Sequence, residues 1–293
     1  MRFILPILLF YFNLITYSQS LSDNDIKVLA QRINTELQGL DFGNGITGKG
    51  CYAFGRTLVY QYDVNEDWHA PENIKADLIA NLKQSGHSEA YFNNEINVEY
   101  QYLFETRLRE KVTIKSYELA NLNFNLGEYI SIDGHPKAKG VNLKLRPPMG
   151  WQIAEGDRPN IVQKFLFKNN NYMIIVKDNI TFFSRNEIRE LLSDEEYVND
   201  FLSEASSILT NPQILSHRIV NVDKYPSLEF TMRGEMDRLG IKMSIKQKCW
   251  MVFFEDKIVY LQCGGLDNTE FTALEKLYDL ITNSVIFPEQ YDY

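Results

Sequence analysis

The chain is poor in residues that most often carry metal or nucleophilic chemistry. It has three cysteines and four histidines in 293 residues. Its histidines show no HExxH motif and no zinc-site spacing, no Gly-x-Ser-x-Gly elbow is present, and no Lys-Ser/Thr pair follows the glycines between 39 and 50. The sequence therefore predicts no catalytic residue, no cofactor and no metal. The histidines are His69, His87, His135 and His217.

Three cysteines are also too few for a disulfide framework. One pair is a candidate, because folding the chain back about Asp256 places Cys249 opposite Cys263 on two strands. In an oxidising compartment these two can form a cross-strand disulfide, although directly paired strand positions often have poor disulfide geometry. The alternative is two small buried thiols. Cys51 remains single in both cases.

The chain has fewer positively than negatively charged residues. Lys and Arg number 30 against 39 Asp and Glu, so the formal net charge is -9. Such a balance argues against binding to nucleic acid, whose affinity for proteins is largely cationic. It also argues against adhesion to an anionic membrane surface. We interpret the acidity as a contribution to solubility.

Long apolar runs are missing except at the start of the chain. Arg2 precedes a nearly unbroken apolar run from Phe3 to Ile15, and small residues follow at Ser18 and Ser20. This pattern predicts a signal peptide over residues 1–20. The run is shorter than the roughly 20 residues that span a bilayer, so no membrane span is expected after its removal. We expect export to the periplasm of a double-membrane bacterium, or to the extracellular space.

Residues 21–132 alternate helical and strand patterns. A capping box at Ser22 and Asp25 opens one helical stripe, and a second runs from Ile74 to Leu82. Apolar and polar residues alternate, as in a strand, over residues 55–64. Two further alternating stretches follow, and a hairpin turn at 107–109 separates them. The order helix, strand, helix, strand, strand predicts a small αβαββ domain of the α+β class.

An aromatic stripe is expected inside this domain. Leu58 and Val64 share its face, which favours a core packed against a helix over an exposed binding surface. The stripe consists of Tyr60, Tyr62, Tyr100, Tyr102 and Phe104.

Residues 133–140 combine Gly, Pro and charge, and we interpret them as a linker. Residues 141–293 then predict a hairpin with an Asn-rich turn, two amphipathic helical segments and a three-stranded meander. A closing helix follows from Thr269 to Asn283. Five or six mostly antiparallel strands covered by helices are the natural packing of these elements.

Several motifs of this second half recur together in one superfamily. They are the Pro-x-Gly-Trp turn of Pro148, Gly150 and Trp151, the strand end at Leu261 and Cys263, and the Ser284 to Phe287 segment after the closing helix. On these motifs, Val141–Tyr293 resembles the PsbP/Mog1-like superfamily, and Ala138–Phe165 resembles a signature of uncharacterised exported bacterial proteins. The resemblance implies an α/β/α sandwich. It also implies a binding or assisting role, because its better-known relatives are photosystem accessory subunits and a GTPase-binding factor.

The loop after Trp151 concentrates side chains of both signs. One interpretation is a recognition loop on a rigid scaffold. The other is structural, with Arg158 paired to an acidic neighbour so that it fixes the turn. Trp151 itself is expected in the core against the closing helix. The loop residues concerned are Glu155, Asp157, Arg158 and Asn160.

Short acidic runs are the remaining candidates for carboxylate chemistry. Such runs are typical of solvated faces or of helix first turns, where the dipole favours negative charge. They are Glu66 with Asp67, Asp194 to Glu196, and Glu289 with Asp292.

The leading hypothesis is an exported, non-catalytic accessory or binding protein that acts through protein contacts in the bacterial envelope, with a partner the sequence does not identify. The alternatives are an envelope hydrolase with a spatially assembled site, and an immunity-like protein that neutralises a periplasmic toxin.

Overall fold

The computed structural model describes residues 21–178, 181, 184–238 and 240–291, which form two compact units divided between Asn121 and Leu122. The predicted signal peptide, residues 1–20, lies outside the described residues. No helix in the described ranges has the length and apolarity to cross a membrane.

The first unit is an α+β fold. Its elements are α1 (Asp23–Leu37), β1 (Ile46–Phe54), β2 (Thr57–Val64), α2 (Ile74–Gln84), α3 (Ser88–Asn93), β3 (Asn97–Phe104) and β4 (Arg107–Ile114). The strands form one sheet in the order β1-β2-β3-β4, with β2 and β3 parallel and the other neighbours antiparallel. The predicted capping box is present, because Ser22 and Asp25 exchange side-chain to backbone hydrogen bonds at the start of α1.

Two details of the first unit differ from the prediction. β1 is a strand that the αβαββ prediction lacks, beginning at Ile46 among the glycines between 39 and 50, and α3 adds a further helix. The hairpin turn lies at Glu105 and Thr106, which have φ of 46° and 71°, so residues 107–109 belong to β4. The turn was missed because left-handed backbone at Glu and Thr has no sequence signature comparable to Gly or Asn.

The tyrosine stripe is core, as predicted. Tyr60 stacks on Tyr100 with ring centroids 5.3 Å apart, and Tyr62 stacks on Tyr102 at 5.5 Å. Tyr102 has no exposed surface, and Trp68 stacks on it at 4.7 Å. Burial raises the pKa of the Tyr91 phenol, which bonds to Tyr60, to about 12.

The described part of the second unit contains nine strands and three α-helices. They are β5 (Ile130–Ser131), β6 (Lys144–Leu145), β7 (Gln152–Glu155), β8 (Ile161–Phe167), β9 (Asn170–Asp178), α4 (Arg185–Ser193), α5 (Glu195–Ser206), β10 (Thr210–Val222), β11 (Tyr225–Arg238), β12 (Ile241–Phe254), β13 (Lys257–Leu266) and α6 (Thr269–Asn283).

Seven of these strands make one antiparallel sheet in the order β10-β11-β12-β13-β9-β8-β7. Helix α6 packs on one face, through Phe271 and Leu277, and helices α4 and α5 pack on the other, through Ile188 and Leu202. The unit is therefore an α/β/α sandwich. The meander has one strand more than predicted, because residues 218–238 fold into a hairpin that turns at Asp223, where φ is 53°.

Trp151 lies in the core as predicted, stacked on Phe167 at 5.4 Å and edge-on to Tyr278 of α6 at 6.2 Å. Residues 133–140 lie inside the second unit, where the predicted linker is a turn. Pro136–Ala138 form one 3₁₀ turn, and the methyl group of Ala138 is buried in the core on the α6 side. Gly and Pro mark tight turns as well as linkers, which explains the difference.

The cysteines are three buried free thiols. Cys249 pairs with Gln262 across β12 and β13, and Lys248 pairs with Cys263, so the register differs by one residue from the predicted one. A shift of one residue turns a side chain to the other face of a sheet. Cys249 accordingly packs under α4 and α5 and Cys263 packs under α6, so a Cys249–Cys263 disulfide does not fit this structure.

We expect no thiol of the native protein to react with a thiol reagent on the time scale of minutes, since only thiolates attack and burial raises all three pKa values, that of Cys51 to about 12. Unfolding without a reductant should expose three reactive thiols. Thiol titration in denaturant measures this. A single reactive thiol would instead show that Cys249 and Cys263 are bridged.

Candidate functional site

A groove opens on the sheet face of the second unit that also carries α4 and α5. The two helices cover Phe230 and Phe253 and leave the neighbouring part of this face uncovered. The groove has a volume of about 580 Å³, and a pocket of about 90 Å³ adjoins it under the end of α5. Small-molecule and peptide-side-chain sites occupy volumes of this order.

The floor of the groove is a row of four paired residues across four strands. Leu166 pairs with Asn171, Asn171 with Gly264, and Gly264 with Gln247, so all four side-chain positions share one face. Gly264 has no side chain, and the three atoms nearest to a methyl group added there all belong to Asn171, at 3.4 to 3.9 Å. The floor is therefore lowest at its centre.

The walls are mostly apolar and rich in methionine. Methionine is flexible and polarisable, so it adapts its shape to different occupants. Only Ile208 at the end of α5 is highly exposed, and the others are half-buried. These residues are Met173, Ile175, Ile208, Met236, Met243 and Ile245.

Side-chain amides interrupt this apolar lining. Nε2 of Gln262 donates to Oε1 of Gln247 at 3.0 Å. Oε1 of Gln262 and Nε2 of Gln247 make no further hydrogen bond among the described residues. Asn171 lies in the next strand, and its buried Oδ1 has no hydrogen-bond partner within the described ranges. The floor therefore presents both donors and acceptors to an occupant.

The loop between β7 and β8, residues 156–160, forms the rim. Lys137 donates to the carbonyl oxygen of Gly156 at 2.6 Å, and the backbone N–H of Val176 donates to that of Asn160 at 2.9 Å. Gly156 packs so tightly that an added Cβ would lie 1.8 Å from the carbonyl oxygen of Ile161. The loop is thus anchored at both ends, although its outer side chains are exposed.

Three of the four charged residues that line the groove are positive. Lys164 pairs with Asp157 at 2.5 Å, and this hydrogen bond holds the pKa of the Asp157 carboxyl below its usual range. Lys168 pairs with Glu270 of α6 at 2.7 Å. Arg158 is exposed, and no ion pair within the described part of the chain involves it. Its guanidinium is therefore the rim cation that is available to a ligand.

The structure brings two of the four predicted loop residues to the groove, Asp157 and Arg158. Asp157 forms its ion pair with Lys164, and the nearby charge of Arg158 contributes to the lowered pKa of the Asp157 carboxyl without an ion pair of its own among the described residues. Glu155 does not line the groove, and its carboxylate lies 3.2 Å from the Lys137 ammonium. Asn160 does not line it either, and its backbone carbonyl accepts from the N–H of Val176 in β9.

The acidic runs lie elsewhere. Asp194 is the N-cap of α5, and its carboxylate accepts from the N–H of Glu196 at 2.9 Å. Glu195 and Glu196 lie in the first turn of this helix, as the sequence predicts. Glu66 and Asp67 are exposed in the loop after β2. Glu289 lies beside Tyr225, while Asp292 is outside the described residues. Among the described residues no group of three or more His, Cys, Asp or Glu could hold a metal ion.

A second polar cluster lies on the opposite sheet face, beside α6. The Glu229 carboxylate accepts from Arg218 at 2.8 Å and from the indole N–H of Trp250 at 3.0 Å, and Lys248 lies 3.6 Å away. Lys248 also bonds to Asp279. Burial raises the pKa of Glu229, but Arg218, Lys248 and Trp250 outweigh it, and the net shift is downward. We interpret this cluster as structural.

No protein-family model matches this chain, and no curated protein matches it. Among solved structures, it is similar to PsbP from Synechocystis sp. PCC 6803, with a TM-score of 0.36 and 10% identity over 57% of this chain and 97% of that one.

It is also similar to the Ran-binding protein Mog1p of Saccharomyces cerevisiae, with a TM-score of 0.37 and 9% identity over 56% of this chain and 95% of that one. A third similar structure is LpqN of Mycobacterium tuberculosis, a protein involved in cell envelope biogenesis, with a TM-score of 0.35 and 13% identity over 54% and 89%. The PsbP/Mog1-like resemblance of the second half stays a prediction from its motifs, because TM-scores below 0.5 do not show a shared superfamily. Similarity at this level carries no activity over to this chain.

Proposed function

We propose that this chain is an exported, non-catalytic binding protein whose second unit holds a segment of a partner protein in the groove. The observation that carries the proposal is an open, methionine-lined concavity on a rigid antiparallel sheet. A concave apolar patch of this kind excludes water when a partner's side chains enter it, and that burial is the main source of binding free energy. The signal-peptide pattern of residues 1–20 supports export, and an exported protein would meet its partner in the bacterial envelope.

The lining is suited to contact. Its acids and bases lie at the rim, where Asp157 and Lys164 neutralise each other, and its floor and walls consist of aliphatic, methionine and amide side chains. Amides and thioethers neither attack bonds nor exchange protons near neutral pH.

The test is an affinity pull-down of mature protein from the native envelope fraction, with mass spectrometry of the retained proteins. The groove-filling variant Gly264→Val is expected to lose the partner by about tenfold or more, because its methyl groups occupy the lowest point of the floor. Backbone strain is not expected, since Gly264 does not have a positive φ.

Ser244→Val is the matched control, because Ser244 is exposed on β12 and does not line the groove. A partner retained at near-stoichiometric yield by the wild type and by Ser244→Val, and lost from Gly264→Val, supports the proposal. Equal retention by all three places the contact elsewhere. A reproducible blank for the wild type contradicts the protein-binding function.

A further inference from the structure

The groove also indicates the chemistry of its occupant, and this inference rests on the proposed function. We propose that the groove takes an extended peptide segment, with the main chain bound by the floor amides and an acidic side chain bound by Arg158.

The floor amides are arranged to suit a peptide backbone. The bond from Gln262 to Gln247 uses one donor and one acceptor, and it leaves an acceptor on Gln262 and a donor on Gln247. A peptide unit offers the complementary pair, one N–H and one C=O. An apolar floor with an unsatisfied amide pair discriminates against purely hydrocarbon ligands, because these would leave both amide groups without partners.

The depression at Gly264 sets the form of the segment. Its flanking residues Asn171 and Gln247 lie on the two adjacent strands, and the methionines Met173 and Met243 also line the groove. One apolar side chain of an extended segment fits into this depression, while its neighbours along the segment point away, as side chains of extended chains alternate. A helix would present a surface too wide to bring its hydrogen-bonded backbone to the floor.

The positive charge at the rim favours a peptide segment that carries negative charge. Arg158 is permanently charged and is the rim cation without an ion pair among the described residues, whereas Lys164 and Lys168 have carboxylate partners. A guanidinium binds a carboxylate through two parallel hydrogen bonds. The chain as a whole has a net charge of -9, so this positive rim is a local exception that favours an acidic segment at this place.

The experiment is selection from a random peptide library on the immobilised mature protein, followed by fluorescence anisotropy of an enriched peptide. We expect enriched peptides to share an acidic residue beside alternating apolar residues. Arg158→Glu should weaken such a peptide by about tenfold or more, and raising the salt concentration should weaken its binding to the wild type. Arg189→Glu, which makes the same change of charge on the exposed face of α4, should have little effect.

The outcomes separate this inference from the proposed function. Peptides that lose affinity with Gly264→Val but are indifferent to Arg158→Glu would overturn the acidic segment and leave groove binding intact. Peptides indifferent to Gly264→Val would overturn the groove as the site. If no peptide is enriched while anionic phospholipid vesicles co-sediment with the protein, the peptide assignment is wrong. Circular dichroism melting of each variant checks that it is folded.

Discussion

Glu229→Ala is expected to lower the free energy of unfolding of the second unit by about 1–3 kcal/mol, because the buried Lys248 ammonium loses the more distant of its two carboxylate neighbours and keeps only Asp279. The Lys248 and Glu229 side chains are only 9% and 12% exposed, so water does not replace the lost partner well. The indole N–H of Trp250 loses its acceptor at the same time. Urea unfolding followed by tryptophan fluorescence measures the loss, and a Trp68→Phe background confines the signal to the second unit.

The matched variant is the double substitution Glu229→Leu with Lys248→Met. Replacing both partners of a buried pair by apolar groups is often neutral or stabilising, so the double variant should lose less than Glu229→Ala alone. A loss below about 1 kcal/mol for the single variant would show that the cluster is effectively solvated.

The cluster also makes the stability of the second unit depend on pH. The folded-state pKa of Glu229 is below its usual value of about 4.3, so its contribution to stability is full above that value. The contribution is lost as the pH falls through the folded-state pKa.

Phe271→Ala should cost the second unit about 3–5 kcal/mol, the range for removing a fully buried aromatic ring. The ring packs on Tyr278 at 5.4 Å and lies against Gly265, where no side chain can fill the cavity left behind. Its backbone N–H, which the substitution keeps, donates to Oδ1 of the N-cap residue Asn268. Urea unfolding followed by tryptophan fluorescence measures the loss, here with Trp68 retained so that the first unit is reported as well.

Phe54→Ala is the control for this substitution. Phe54 is 78% exposed, so its removal should change stability by less than about 0.5 kcal/mol. Similar losses for the two phenylalanines would contradict the place of α6 as the layer that closes one face of the sheet.

The closing helix and most of the meander could be predicted because their pattern is local. α6 spans Thr269–Asn283, as its apolar stripe indicates, and Trp151 lies against it as expected. The helix could be predicted from the 3.6-residue period of its apolar residues. The burial of Trp151 could be predicted because a large aromatic side chain contributes most when it is packed in a core.

Strand register could not be predicted with the same certainty. The β12–β13 hairpin turns on Glu255 and Asp256, with Phe254 paired to Lys257 and Glu255 at φ 51°. A turn centred on Asp256 alone differs by a single residue, yet it moves Cys263 to the face of Cys249. Neither turn residue is a glycine or asparagine that would have indicated the two-residue turn.

The groove depends on which part of a sheet face the helices leave uncovered, and no local pattern encodes that. The charged residues around Arg158 indicate the rim loop in the sequence. The floor residues Gln247 and Gly264 have no sequence feature that distinguishes them from other strand residues. The signal that could have found them is the recurrence of half-buried methionines and amides on neighbouring strands. Their strand neighbours became known only with the register.

Site-specific photo-crosslinking in living cells tests most directly that a partner occupies the groove. A photoreactive phenylalanine analogue replaces Met243 in the groove wall or, as a control, the exposed Met149 outside it. We predict one discrete adduct from position 243 that disappears when Gly264→Val is added, and none from position 149. An adduct from position 149 without one from position 243 would contradict the account.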